Sequence, residues 1–194
     1  MTSLPILYTL GHSNHSLERF LELLGLHEIE TVGDVRSQPY SPYCPHFNRE
    51  ALQTALPQNG IGYLFLGGEL GARTEDTSCL IEGRVDYDCL TKTAAFGEGI
   101  SRLKEEMTTK RVALVCAEKD PLTCHRTILI SRELRNETAE IRHILETGEI
   151  ETQEEAETNL LTLLKFEPSL FQSEEEQIEE AYTVQGRKIA YKLY

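Results

Sequence analysis

The stretch "RVALVCAEKDPLTCHRTILISREL", residues 111–134, decides the fold. Its first part, "RVALV", is an apolar run that reads as a buried strand. "CHRTILISRELRN" (124–136) then reads as a helix, so the segment is a strand, a polar junction and a helix, one half of a βαβ unit. A plain strand-to-helix turn uses Gly, Asn or Asp. Here the junction instead carries Cys116, Cys124, His125 and Arg126.

The pattern repeats outward from this segment. "ILYTLGHSN" (6–14) begins as a strand and breaks at Gly11. A helix follows, with Leu17, Phe20, Leu21 and Leu24 at helical spacing and Ser16 as its N-cap. "TVGDVRS" (31–37) is a second strand, ended by the proline-rich "SQPYSPYCP" loop. "NREALQTALPQNG" predicts a helix capped by Asn48, and "IGYLFLGGELG" (61–71) a third strand running into glycines. Residues 72–90 carry no decisive pattern, helical spacing returns from Ala94 to Thr108, and "EIRHIL" (140–145) is a further strand.

Strands alternating with helices predict an α/β fold: a mostly parallel sheet of about five strands flanked by helices. Residues 1–148 are assigned to this domain, and 149–194 to an acidic, helical C-terminal extension. In the extension, Leu160, Leu161, Leu163 and Leu164 are expected to dock on the main domain or on a second subunit. Glu154, Glu155 and Glu157 are expected to face water.

Composition narrows the function classes. The 194 residues are 40% hydrophobic and 26% charged, ordinary for a globular protein. No apolar run is long enough for a membrane helix, and no signal-peptide pattern is visible, so a cytoplasmic protein without membrane contact is expected. Five cysteines at irregular spacing point to reduced thiols rather than a disulfide scaffold. The net charge of −13 is concentrated in residues 146–180, which hold twelve glutamates and a single lysine. Such a balance disfavours broad binding to nucleic acid but leaves room for a small local anion site. Nothing in it fixes the oligomeric state.

Ligands of open parallel sheets bind at the carboxyl ends of the strands. The residues that follow the apolar runs are "GHSN", "DVRS", "GGELG" and "CAEKDPLTCHR". They should converge on one edge, bringing His12, Asp34, Arg36, Ser37, Glu69, Cys116, Cys124, His125 and Arg126 to one cleft. Cys124, at a helix start beside His125 and Arg126, is placed to hold a thiolate. Cys116 is either its partner or a small core side chain. His125 and His12 are candidate proton carriers or metal ligands. Asp34 and Arg36 share a strand face, either as a ligand-binding pair or as an ion pair that pins the loop. Arg126 is suited to a phosphate or carboxylate, or to a salt bridge with Glu118 or Asp34. The spacing fits neither a phosphatase loop nor a paired-cysteine structural zinc site, and there is no P-loop. A mononuclear transition-metal site drawn from His12, Cys116, Cys124 and His125 stays open.

"YTLGHSNHSLERFLELL", "VGDVRSQPYSPYCPHFN", "LQTALPQNGIGYLFLGGELGAR" and "VALVCAEKDPLTCHRTILISREL" together resemble the domain of unknown function 488 family, over about residues 5 to 146. Where many members have Ser-Arg after the D-V-R-x-x-P motif, this chain has Ser41-Pro42-Tyr43. The resemblance implies a shared fold and site more than a reaction, and some members are associated with DNA repair. The leading expectation is an enzyme acting on a small anionic or nucleotide-like substrate through cysteine, histidine and arginine. The alternative is a non-catalytic module that binds a small ligand or a nucleic-acid end.

Overall fold

The structure is a computed structural model that describes residues 5–74, 77–137 and 140–193. In chain order the first half gives β1 (Ile6–Gly11), α1 (Leu17–Leu26), β2 (Thr31–Asp34), α2 (Arg49–Gln58) and β3 (Gly62–Phe65). The hairpin β4 (Leu80–Ile81) and β5 (Arg84–Val85) follows, then α3 (Tyr87–Leu90), α4 (Ala94–Met107) and β6 (Val112–Cys116). A π-helical turn, Arg126–Ser131, runs into α5 (Arg132–Leu134). The chain then forms β7 (Glu140–Ile144), β8 (Ile150–Thr152), α6 (Gln153–Leu164) and α7 (Glu174–Ile189).

The main sheet has six strands in the order β3-β2-β6-β1-β7-β8. The first five are parallel, and β8 pairs antiparallel to β7. β6 lies at the centre with every side chain buried, which explains why "VALVC" reads as a continuous apolar run. Alternate residues serve two cores. Ala113 and Val115 pack with Phe20, Leu24, Leu52 and Leu56 of α1 and α2. Val112, Leu114 and Cys116 pack on the opposite face with Leu103, Ile128, Leu160 and Tyr182. Ser16 caps α1 through Arg19 N as expected. Asn48 precedes α2, but its Oδ1 accepts from Ser41 N at 2.7 Å rather than capping the helix.

Three features depart from the sequence expectation. Residues 150–152 form an edge strand, and the helix starts only at Gln153, where Thr152 and Glu155 make a reciprocal capping box. Glu157 does not face water: it is buried, pairs with Arg135 at 3.0 Å and accepts from the Tyr182 hydroxyl at 2.9 Å. Cys79 and Cys89 are joined in a disulfide that ties the turn before β4 to α3, so not all cysteines are free thiols. Cys44, Cys116 and Cys124 are free.

The extension shares the main core. Leu160 is buried, Leu161 and Leu164 are half-buried, and Leu163 is exposed. Ile178, Ala181 and Tyr182 of α7 join the same core cluster, and Gln185 Nε2 donates to Leu122 O at 2.7 Å. Among the described residues no helix is long and apolar enough to cross a membrane.

A buried polar chain ties sheet to extension. His143 on β7 donates from Nε2 to Gln153 Oε1 at 3.0 Å and accepts at Nδ1 from the Thr9 hydroxyl at 2.8 Å. Burial, reinforced by the Arg126 charge, lowers its pKa to about 4. Below pH 6.5 the unfolded chain therefore binds a proton that the folded chain refuses. Stability should fall as pH drops from 6.5 to about 4, with little further loss from this group below that. The contribution is roughly 3 kcal/mol across the window. Denaturant unfolding at a series of pH values should show a slope in this window about one proton smaller in His143→Gln than in the wild type. Equal slopes would remove His143 as its source.

Candidate functional site

The parallel register continues past the strand ends. His12 N donates to Cys116 O and Ser13 N to Ala117 O, both at 2.9 Å, so the first and fourth parallel segments leave the sheet side by side. A Cβ on Gly11 would stand 1.9 Å from Glu118 O, so the 116–119 loop can cross the end of β1 only because residue 11 has no side chain. Arg126 fixes that loop from below. It is 1% exposed, and it donates to Glu118 O at 2.6 Å and Lys119 O at 3.1 Å. Its charge therefore meets backbone carbonyls, neither an external anion nor the acids first considered. Asp120 caps the short turn Pro121–Thr123 through Leu122 N at 2.8 Å, and Cys124 follows in extended conformation.

Cys116, Glu118, Cys124 and His125 consequently meet. Their ligand atoms all lie within 4.8 Å of one another. Glu118 Oε2 is 2.9 Å from Cys116 Sγ and 3.0 Å from Cys124 Sγ. His125 donates from Nε2 to Val35 O at 3.0 Å, which turns the Nδ1 lone pair toward Cys116 Sγ at 3.6 Å and Cys124 Sγ at 4.0 Å. The two thiols are unequal. Burial opposes ionisation of Cys124, but the Cys116 S–H, the Arg126 guanidinium and His125 together hold it well below the usual thiol range. Hydrogen bonding to that thiolate, with burial and Glu118, pushes Cys116 well up. Burial would lower His125, yet contact with Cys124 and Glu118 raises it. Burial and the Cys124 charge raise Glu118.

Beside this cluster, Arg36 makes a two-point contact with Asp34, Nε to Oδ1 at 2.8 Å and Nη2 to Oδ2 at 2.7 Å. It also donates to Phe47 O at 2.8 Å and to His12 Nε2 at 3.0 Å. Tyr63 adds its hydroxyl to Asp34 at 2.8 Å. His12 donates from Nδ1 to Ser13 O and stacks on Phe47, and burial with the Arg36 charge lowers its pKa to about 4.

A cleft of about 210 Å³ opens above the cluster. Arg36, Ser37, Gln38, Cys116, Glu118 and His125 line it, together with Arg73, Tyr87, Thr123, Ile189 and Tyr191 among others. Ser37 Oγ accepts from Arg73 N at 3.0 Å. His12, Asp34 and Arg126 stand behind the lining, and Cys124 lies beneath it. Glu69 is not part of the group; it pairs with Arg102 on α4. Sequence reasoning missed Glu118, Arg73, Tyr87 and Tyr191 as site residues. Glu118 had a signal, two residues beyond Cys116 in the same junction, whereas Tyr191 had none because only the chain's return across β5 brings it there.

Residues 16–132 match the family described as Domain of unknown function DUF488. The chain belongs to that family. Neither the curated proteins nor the solved structures gave a match. The matched DUF488 span holds Asp34, Arg36, Cys116, Glu118, Cys124 and His125, while the wall built by Ile189 and Tyr191 lies outside it.

Gly11→Ala should force the Glu118–Lys119 backbone away from β1 and cost about 1–3 kcal/mol. It should also speed thiol labelling of Cys124, which is otherwise shut in. Gly25→Ala is the control: no atom lies within 4 Å of the added carbon, so it should be neutral or stabilise by up to about 1 kcal/mol. Denaturation midpoints and labelling rates of the two variants check this, and equal behaviour would refute the close approach.

Proposed function

We propose that this DUF488 protein is an enzyme that transforms a small, polar, negatively charged substrate in the cleft at the carboxyl edge of its sheet. One observation carries the reading: a free cysteine, a histidine with an inward-facing lone pair and a carboxylate converge on the lining of a concave site, with a second free cysteine, Cys124, directly behind them. The cleft is smaller than the roughly 300–1,000 Å³ of sites for drug-sized ligands, which favours a small acid or phosphate over a whole nucleotide. Arg73, stacked on Tyr191 with its guanidinium carbon 4.3 Å from the ring centre, brings positive charge to the wall. A purely binding role would rest on Arg36 and Arg126. Both are engaged internally, so the catalytic reading is better supported than the binding one.

The test is incubation of the full chain with a mixed pool of small metabolites, followed by mass spectrometry. At least one acidic component should be consumed by the wild type. Cys124→Ser and His125→Gln, checked for folding by circular dichroism, should be slower by about 10²–10⁴-fold. Arg73→Gln should chiefly raise KM. A ligand bound but never consumed, with binding intact in both site variants, would overturn the enzymatic reading.

A further inference from the structure

We infer that Cys116, Glu118, Cys124 and His125 form a mononuclear site for a zinc-type divalent cation, with Glu118 as the ligand on the cleft side. This deepens the enzymatic reading and rests on it only for the function of that cleft-side position.

The donor set selects the ion class. Two sulfurs and one imidazole nitrogen suit zinc and its borderline neighbours, whereas magnesium and calcium require oxygen. The spacing fits as well. Zinc bonds of about 2.0–2.3 Å arranged tetrahedrally separate the donor atoms by roughly 3.3–3.8 Å. The sulfur–nitrogen separations of 3.6 and 4.0 Å and the sulfur–oxygen separations of 2.9 and 3.0 Å lie on either side of that range, and all four donor atoms fall within 4.8 Å of one another. Shifts of up to about an ångström would bring the four donors to it.

The surroundings are those of a ligand set. His125 is oriented by its bond to Val35 O, the outer-shell contact that metal-bound histidines use to present one nitrogen. Cys116 ends a central strand, and Cys124 and His125 are held between the Pro121–Thr123 turn and the Arg126–Ser131 helical turn, so three donors are fixed by the elements beside them. Among the described residues no salt bridge reaches Glu118, while Arg36 and Arg126 are committed elsewhere. Three groups that can each carry negative charge thus face one point; Arg126 lies near Cys124 but directs its donors to backbone carbonyls, and among the described residues no side-chain ammonium or guanidinium donates to the carboxylate or the sulfurs. A divalent cation is the species that would complete the arrangement.

The ligands differ in exposure. Cys116, Cys124 and His125 are buried, whereas Glu118 is the exposed member and lines the cleft. An incoming substrate or water can therefore displace Glu118 without disturbing the three buried donors. This resembles the open position of three-ligand catalytic zinc sites rather than a closed structural one.

The full chain should be purified without a metal-affinity tag, under reducing conditions, and its metal measured by mass spectrometry. About one zinc per chain is expected. Replacement by cobalt should give a thiolate-to-metal charge-transfer band and strong visible bands of tetrahedral type. Cys124→Ser and His125→Gln should lose the metal. Glu118→Gln, at an exposed position that leaves the fold intact, should keep the charge-transfer band, change the visible bands and release cobalt faster to a chelator. Cys44→Ser should change nothing. If the reduced wild type takes up neither zinc nor cobalt, or if the charge-transfer band survives when Cys116 and Cys124 are both replaced by Ser, the metal site is refuted. Recovery of Cys116 and Cys124 as a metal-free disulfide pair would refute it too. Turnover by metal-free protein would refute the catalytic use of the Glu118 position and leave the enzymatic reading standing; metal bound by these residues without any turnover would leave the metal site standing and refute the enzymatic reading.

Discussion

The buried guanidinium of Arg126 organises the carboxyl edge of the sheet. A charge at 1% exposure is costly unless its donors are satisfied, and here two of them hold the successive carbonyls of Glu118 and Lys119. These contacts press the 116–119 loop onto the end of β1, where only glycine leaves room. They also fix where the Glu118 side chain begins, and so bring its carboxylate over the two sulfurs. The same positive charge supports the Cys124 thiolate. One side chain therefore sets backbone path and electrostatics together, and a lysine could not reproduce the forked contact.

A second bracket acts from β2. Asp34, wholly buried, and Arg36 lock each other, with Tyr63, His12 and Phe47 around them. Val35 lies between the pair, and its carbonyl accepts the His125 N–H. The D-V-R motif thus governs which nitrogen of His125 faces the thiols. A residue without any reactive group, Val35, orients the site through its backbone.

Much of this was legible in the sequence, for a physical reason. Parallel strands buried on both faces are continuous apolar runs, so their ends, and hence the site edge, can be read directly. The expected convergence of "GHSN", "DVRS", "GGELG" and "CAEKDPLTCHR" follows from that alone, and in the structure His12 N donates to Cys116 O, so the first and last of these segments leave the sheet side by side. "GGELG" misled because Glu69 belongs to a turn that faces α4. Charge patterning misled at Glu157, since an acid beside leucines looks solvated until Arg135 and Tyr182 close on it from other elements and Gln153 donates to it from one turn earlier in α6. The three-residue strand β8 and the Cys79–Cys89 disulfide were illegible because each depends on a partner brought near only by the tertiary fold.

The extension is the part that residue patterns placed least well, and it completes the cleft. From Arg126 the buried polar chain runs through Thr9, His143 and Gln153 to Tyr182 and Glu157. Each member is satisfied by the next, so the extension cannot shift without leaving a buried donor or acceptor unpaired. α7 then delivers Ile189 and Tyr191 to the cleft wall, where Val85 N donates to Tyr191 O at 3.1 Å and Arg73 covers the Tyr191 ring. The sulfur, imidazole and carboxylate groups come from the sheet edge and the enclosing wall from the extension. A shift of α7 would therefore change access to Glu118 while leaving Cys116, Cys124 and His125 on their own elements.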